Sequence, residues 1–168
     1  VAQKQKKSQF KFTQKNDVAV VNRRARHDYE ISDTYDCGIV LTGTEVKSIR
    51  MGGAQIAEAY ASLEDGRNGL PEMWIYGMYI PHYLCGTYNN VEPRRKRKLL
   101  LHRAQLNKLV GASSQKGYTL VPLKLHFSNG RAKLEIGLAK GRKSHDKRQA
   151  IGEREMKRDM ERERSAKY

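Results

Sequence analysis

The sequence is poor in cysteine, proline, tryptophan and acidic side chains, and it has no long apolar run. Two cysteines, Cys37 and Cys85, are too few for a disulfide framework or a self-contained zinc site. Both are expected as reduced, small apolar residues of a cytoplasmic protein. No stretch approaches the roughly 20 apolar residues that cross a bilayer, so no membrane partner is expected. Residues 1–15 are basic and lack the apolar centre of a secretory leader. Against 18 acidic residues stand 33 lysines and arginines, a formal charge of +15 over 168 residues. The cations recur from Lys4 to Lys167, and an excess of that size favours a polyanionic partner, nucleic acid above all.

Catalytic signatures are missing as well. His27, His82, His102, His126 and His145 are scattered, with no ligand-spaced pair among them. A phosphate loop is suggested by Gly137 to Ser144, but three residues separate Gly137 from Gly141 where four are required, and Arg142 precedes Lys143. No Gly-x-Ser-x-Gly nucleophile turn occurs. The expectation is a protein that binds rather than catalyses, with no metal and no cofactor.

What is present reads as one domain with basic ends. Residues 1–20 are rich in Lys and Gln and are expected to be a flexible basic segment. In residues 29–41, Tyr29, Ile31, Tyr35, Cys37, Ile39 and Leu41 fall at a period of two, which predicts a long strand; Asp33 breaks the pattern and predicts a bend at residues 32–34. Val46 and Ile49 predict a short helix capped by Thr44 and ended by Gly52 and Gly53. Residues 59–64 and 73–80 read as strands around a turn-rich, exposed loop at 65–71.

After Pro93, the spacing of Leu99, Leu106, Leu109 and Val110 predicts a helix ended by Gly111. Leu123, Leu125, Phe127 and Leu134, Ile136, Leu138 form two alternating runs joined at Asn129-Gly130, the preferred centre of a tight hairpin. Beyond Gly141 the apolar content collapses. The fold class that results is mainly β with small helices (α+β), an OB-like antiparallel barrel over residues 21–140 with basic ends at 1–20 and 141–168.

Cations cluster beside aromatic and planar side chains. Asn22, Arg23, Arg24, Ala25, Arg26 and His27 lead directly into the first long strand, and arginine forks suit phosphate while His27 and Tyr29 can stack on bases. Lys47 and Arg50 on the short helix, and Arg94 to Lys98 with Arg97 and Lys98 among them, make further clusters.

Four blocks carry a family resemblance: residues 22–29 (Asn-Arg-Arg-Ala-Arg-His-Asp-Tyr), 43–48 (Gly-Thr-Glu-Val-Lys-Ser), 97–101 (Arg-Lys-Leu-Leu-Leu) and 139–148 (Ala-Lys-Gly-Arg-Lys-Ser-His-Asp-Lys-Arg). In this order they resemble the small protein B (SmpB) family of bacterial trans-translation. The resemblance implies a barrel that binds the tRNA-like domain of tmRNA at its elbow. With alanine charged and elongation factor Tu attached, the complex is brought to a stalled ribosome, and the tail enters the empty messenger channel at the small-subunit decoding centre.

Matching positions imply RNA contacts from Asn22, Arg23, Arg26, His27, Asp36, Lys47, Leu100 and His102, and a decoding-site motif at Lys143, His145, Asp146, Lys147 and Arg148. Asp36 stands where the family more usually has Glu, and His102 where many members have Asn. A monomer is expected. The alternative reading is a basic ribosomal protein with an RNA-binding barrel, which shares the charge and the tail but does not account for the block at residues 145–148.

Overall fold

The computed structural model describes residues 18–66, 69–113, 117–142 and 156. Among the described residues, seven strands and three α-helices follow one another, with a 3-10 turn at Thr87–Asn89 before β5: β1 (Val18–Val21), α1 (Ala25–Asp28), β2 (Tyr29–Ile39), α2 (Gly43–Arg50), β3 (Tyr60–Asp65), β4 (Pro71–Tyr76), β5 (Arg97–Leu100), α3 (Arg103–Ser113), β6 (Tyr118–Ser128) and β7 (Arg131–Gly141). Every strand pairing is antiparallel. Along the sheet the order is β1-β6-β3-β4-β5-β2-β7, and β7 also pairs with β6. The last six therefore close into an uneven barrel, with β1 laid along β6.

Alternation decides which face of each strand turns inward. Cys37, Met73, Ile75, Leu125, Leu134 and Ile136 fill the interior, and Ile49 of α2 and Leu109 of α3 are buried with them. The expected hairpin joins β6 to β7, with Asn129 and Gly130 both at positive φ, the geometry of a two-residue turn matched to strand twist. The expected bend in the first long strand is a register shift between Ile31 and Asp33 where β2 pairs with β7.

Some local expectations are corrected. Residues 97–100 form a strand rather than the start of a helix. Arg97 and Leu99 point inward and Lys98 and Leu100 outward, a period of two, and pairing with β4 and β2 satisfies the backbone. The helix begins only at Arg103, and Gly111 lies inside it instead of ending it. Thr42, not Thr44, caps α2: Thr42 and Glu45 make the reciprocal pair of a capping box. β2 ends at Ile39 and β4 at Tyr76, where Gly77 takes a φ of +71°. Cys37, within the apolar pattern of β2, is buried, and Cys85 is exposed.

Candidate nucleic-acid interface

At one end of the barrel, α1 is a single turn held against the sheet by Asn22. The Asn22 backbone N–H donates to Leu123 O (2.8 Å), its side-chain Nδ2 donates to Pro122 O (3.0 Å) and Ile56 O (3.4 Å), and its Oδ1 accepts from the Ala25 N–H (3.1 Å). Ala25 sits in a small apolar cluster with Val121, Leu123 and Ala139, so the turn lies close to the barrel wall. The result is a fixed mount from which exposed Arg23, Arg24 and Arg26 project. Half-buried His27 shares a hydrogen bond between Nδ1 and Asp28 Oδ1 (3.0 Å), and Arg24 Nε lies 3.4 Å from Asp28 Oδ2. Beside them opens a cleft of about 280 Å³ lined by Arg24, Asp28, Tyr29, Glu58 and Tyr60 among others.

Asn22 is thus a support rather than a surface group, with 5% of its area exposed. The end of β7 meets this mount, since the Arg142 N–H donates to Asp28 O (3.1 Å). Arg142 therefore lies at the arginine-bearing end.

A second group lies farther along β2. Asp36 faces outward, with Lys133 Nζ at 2.9 Å from Oδ2 and His126 Nε2 at 3.4 Å from Oδ1. Leu100 pairs with Gly38 across β5 and β2 and is 52% exposed. Gly38 permits that approach, because a Cβ there would meet Leu100 Cβ at 3.3 Å. His102 is exposed just before α3, and its carbonyl accepts the Leu106 N–H. On α2, exposed Lys47 places its ammonium 5.5 Å from the Tyr83 ring centroid, while half-buried Arg50 packs 5.2 Å from the Phe127 centroid and reaches the Gly130 carbonyl (3.5 Å). Seven residue steps run along β2 from Tyr29 to Asp36, which at about 3.3 Å per step sets the two groups about 23 Å apart.

Among the clustered cations, Arg97 does not belong to the surface. It is fully buried (0% exposed), and its guanidinium donates to Glu45 Oε1 (2.8 Å) and to the carbonyls of Met78 (2.8 Å), Arg95 (2.9 Å) and Pro93 (2.9 Å). The physical reason is alternation: Arg97 occupies an inward position of β5, and Glu45 from α2 supplies the counter-charge that makes a buried guanidinium tolerable. Arg95 holds the same acid through Nε (3.0 Å) and Nη2 (2.6 Å). Burial by itself would push the Glu45 carboxyl up, but the bonds from Arg95, the Thr42 N–H and Arg97 outweigh it and hold the acid below its usual range. Burial pulls the Arg97 guanidinium down, partly offset by Glu45; the acid, with two cationic partners, remains the ionised hub. Lys98 is half-buried on the outer side of β5 and bonded to Glu72.

Sequence reasoning missed Lys133 and His126, because their meeting with Asp36 depends on the pairing of β2, β6 and β7 across long chain separations; only the outward phase of the alternation could have marked them. Lys143, His145, Asp146, Lys147 and Arg148 lie outside the described residues. Among the described residues, no three His, Cys, Asp or Glu gather where a metal ion could be held, and no helix is long and apolar enough to cross a membrane.

A closed antiparallel barrel with fixed arginines at one end and an outward Asp, Leu and Lys group farther along it is the architecture of an RNA-binding barrel protein. A family model described as SmpB protein matches residues 19–166. The SsrA-binding protein of Leifsonia xyli subsp. xyli is 54% identical over 145 residues, covering 86% of this chain and 89% of that protein. That of Thermobifida fusca is 55% identical over 141 residues, covering 84% and 85%, and that of Bifidobacterium longum 55% over 142 residues, covering 84% and 87%. A chain of the solved structure described as "tmRNA-SmpB: a journey to the center of the bacterial ribosome" superposes with a TM-score of 0.62 at 50% identity, covering 79% of this chain and 93% of that one. The chain belongs to the SmpB family.

Proposed function

We propose that this chain binds the tRNA-like domain of tmRNA and delivers it to stalled ribosomes for trans-translation, as a binding protein and not an enzyme. The observation that carries the reading is family membership over residues 19–166 combined with a charged, rigid barrel surface. Its partners are tmRNA and the ribosome, with elongation factor Tu joining through the alanyl-tmRNA complex. It therefore works in the cytoplasm, where stalled ribosomes are.

Residues 21–140 serve as the tmRNA-binding barrel. Arg23, Arg24, Arg26 and His27 supply phosphate and base contacts at the mount; Asp36, Lys47, Arg50, Lys98, Leu100 and His102 supply them farther along. Asn22 acts by holding the mount. Residues 141–168 serve as the segment that enters the messenger channel, with Lys143, His145, Asp146, Lys147 and Arg148 at the decoding site. The bond from the Arg142 N–H to Asp28 O supports this division, because it sets the end of the barrel's last strand beside α1.

The test is affinity for the isolated tRNA-like domain as a function of salt. Neutralising about five or six phosphates gives a log-log slope near −4 to −5. A slope near zero, or equal affinity for an unrelated RNA duplex, overturns the reading.

A further inference from the structure

The outer face of β3, β4 and β5 carries a set of side chains that, Lys98 apart, the contacts above leave unused. Register puts Tyr60 opposite Tyr76, Ser62 opposite Trp74, and Trp74 opposite Lys98. These residues alternate with the inward Ala61, Met73, Ile75, Arg97 and Leu99, so they share the solvent side. The rings of Tyr60 and Tyr76 are stacked, with centroids 5.5 Å apart and planes at 17°. Lys96 holds its ammonium 4.8 Å from the Trp74 centroid and 5.8 Å from that of Tyr76, and Lys98 lies 6.0 Å from Trp74. Tyr60 is 51% exposed and also lines the cleft beside Arg24, so the aromatic face is continuous with the arginine mount.

We infer that this face is a stacking platform for an unpaired RNA segment whose backbone continues onto the α1 arginines. The inference rests on the RNA-binding reading above and assigns it a further surface. Aromatic rings among cations on a sheet are how barrel proteins hold single strands: every base has a flat face to stack, and the Lys96 and Lys98 ammonium groups, which lie over the Trp74 ring in the free chain, move aside to meet the phosphates. Ser62 opposite Trp74 leaves the indole without a bulky cross-strand neighbour on that side.

Charge sets the character of the site. Lys96 is paired with Glu64 (3.2 Å) and Lys98 with Glu72, so the four groups sum to zero. Phosphate must compete with carboxylate for each ammonium, and stacking therefore supplies more of the affinity here than ion pairing. The platform is accordingly expected to bind single strands with a shallower salt dependence than the tRNA-like domain shows.

Trp74 is the sole tryptophan of the chain, which makes it a built-in reporter. The experiment titrates the full chain with an unstructured oligoadenylate of roughly eight nucleotides, and with a hairpin duplex of equal charge, while following Trp74 fluorescence. Saturable quenching by the oligoadenylate is expected. Affinity should weaken by about tenfold in Tyr60→Ala, the loss of one stacked base, and be retained in Tyr60→Phe. Absence of quenching, equal quenching by the duplex, or an unchanged affinity in Tyr60→Ala overturns the platform, the first of these leaving the face to a protein partner. Binding of the tRNA-like domain is measured on the same preparations. If that binding persists while Trp74 is silent, the platform fails and the tmRNA reading stands; if it is absent, the tmRNA reading itself fails.

Discussion

Removing the Glu45 carboxylate leaves Arg97 buried with a full charge and no counter-ion. Breaking such a pair by deleting one member costs about 3 to 5 kcal/mol, so Glu45→Ala is expected to lower the urea midpoint severely, with circular dichroism as the readout. The same acid sets a pH dependence. Its folded pKa lies below the unfolded value of about 4.3. The stabilisation it confers is therefore present above that value and is lost as pH falls through the folded pKa. Between about pH 5 and pH 3 the natural chain should lose more stability than Glu45→Gln, which has no proton to gain at that position; equal losses would remove Glu45 from the account. The two cysteines separate in the same way. Burial, with Asp36 adding, pushes the Cys37 thiol up to about 12, while Cys85 is exposed. Alkylation of the native chain with iodoacetamide, read by mass spectrometry, should modify Cys85 and spare Cys37 until denaturant is added.

At the scale of elements, α1 and β5 show how similar cations come to different ends. Both carry arginines in charged runs, but α1 is a turn mounted outside the wall and β5 is a strand within it. Arg23→Ala and Arg26→Ala are each expected to cost about 1 to 3 kcal/mol of tmRNA affinity while leaving the unfolding midpoint nearly unchanged. Arg97→Ala should do the reverse, unfolding the chain more easily through the loss of its carbonyl and carboxylate bonds. Filter binding beside thermal unfolding distinguishes them, and an Arg97 variant that folds normally yet fails to bind would contradict the assignment. Local pattern was legible where the period was unambiguous, as in β2 and in the β6 and β7 hairpin. It misled at residues 97–100, because leucines seven apart at Leu99 and Leu106 suit a helix equally well, and only pairing with β4 and β2 selects the strand.

For the whole molecule, the decisive relation is between the barrel and the chain that leaves it. The last described strand ends against α1, while Asp36 and Leu100 lie farther along the barrel, and the proposed division of labour places the segment after Arg142 on the ribosome. Truncation after Arg142 is expected to leave tmRNA affinity within about twofold, since the barrel surface is intact. It should abolish alanine transfer from charged tmRNA on ribosomes stalled without downstream message. Normal transfer by the truncated chain would refute the role given to Lys143, His145, Asp146, Lys147 and Arg148.

The sequence alone determined the basic character, the strand-rich single barrel, the tight hairpin and the blocks that carry the family likeness, because net charge, period-two alternation and turn chemistry are local properties of neighbouring residues. Tertiary structure alone decided which cations face solvent. Arg97 turns inward to Glu45, fifty-two positions away in the chain, while Lys133 and His126 gather at Asp36 and the rings of Tyr60, Trp74 and Tyr76 assemble with Lys96 and Lys98 on one face. Those outcomes depend on strand register and barrel closure, which bring distant residues into contact and leave no mark on the residues beside them.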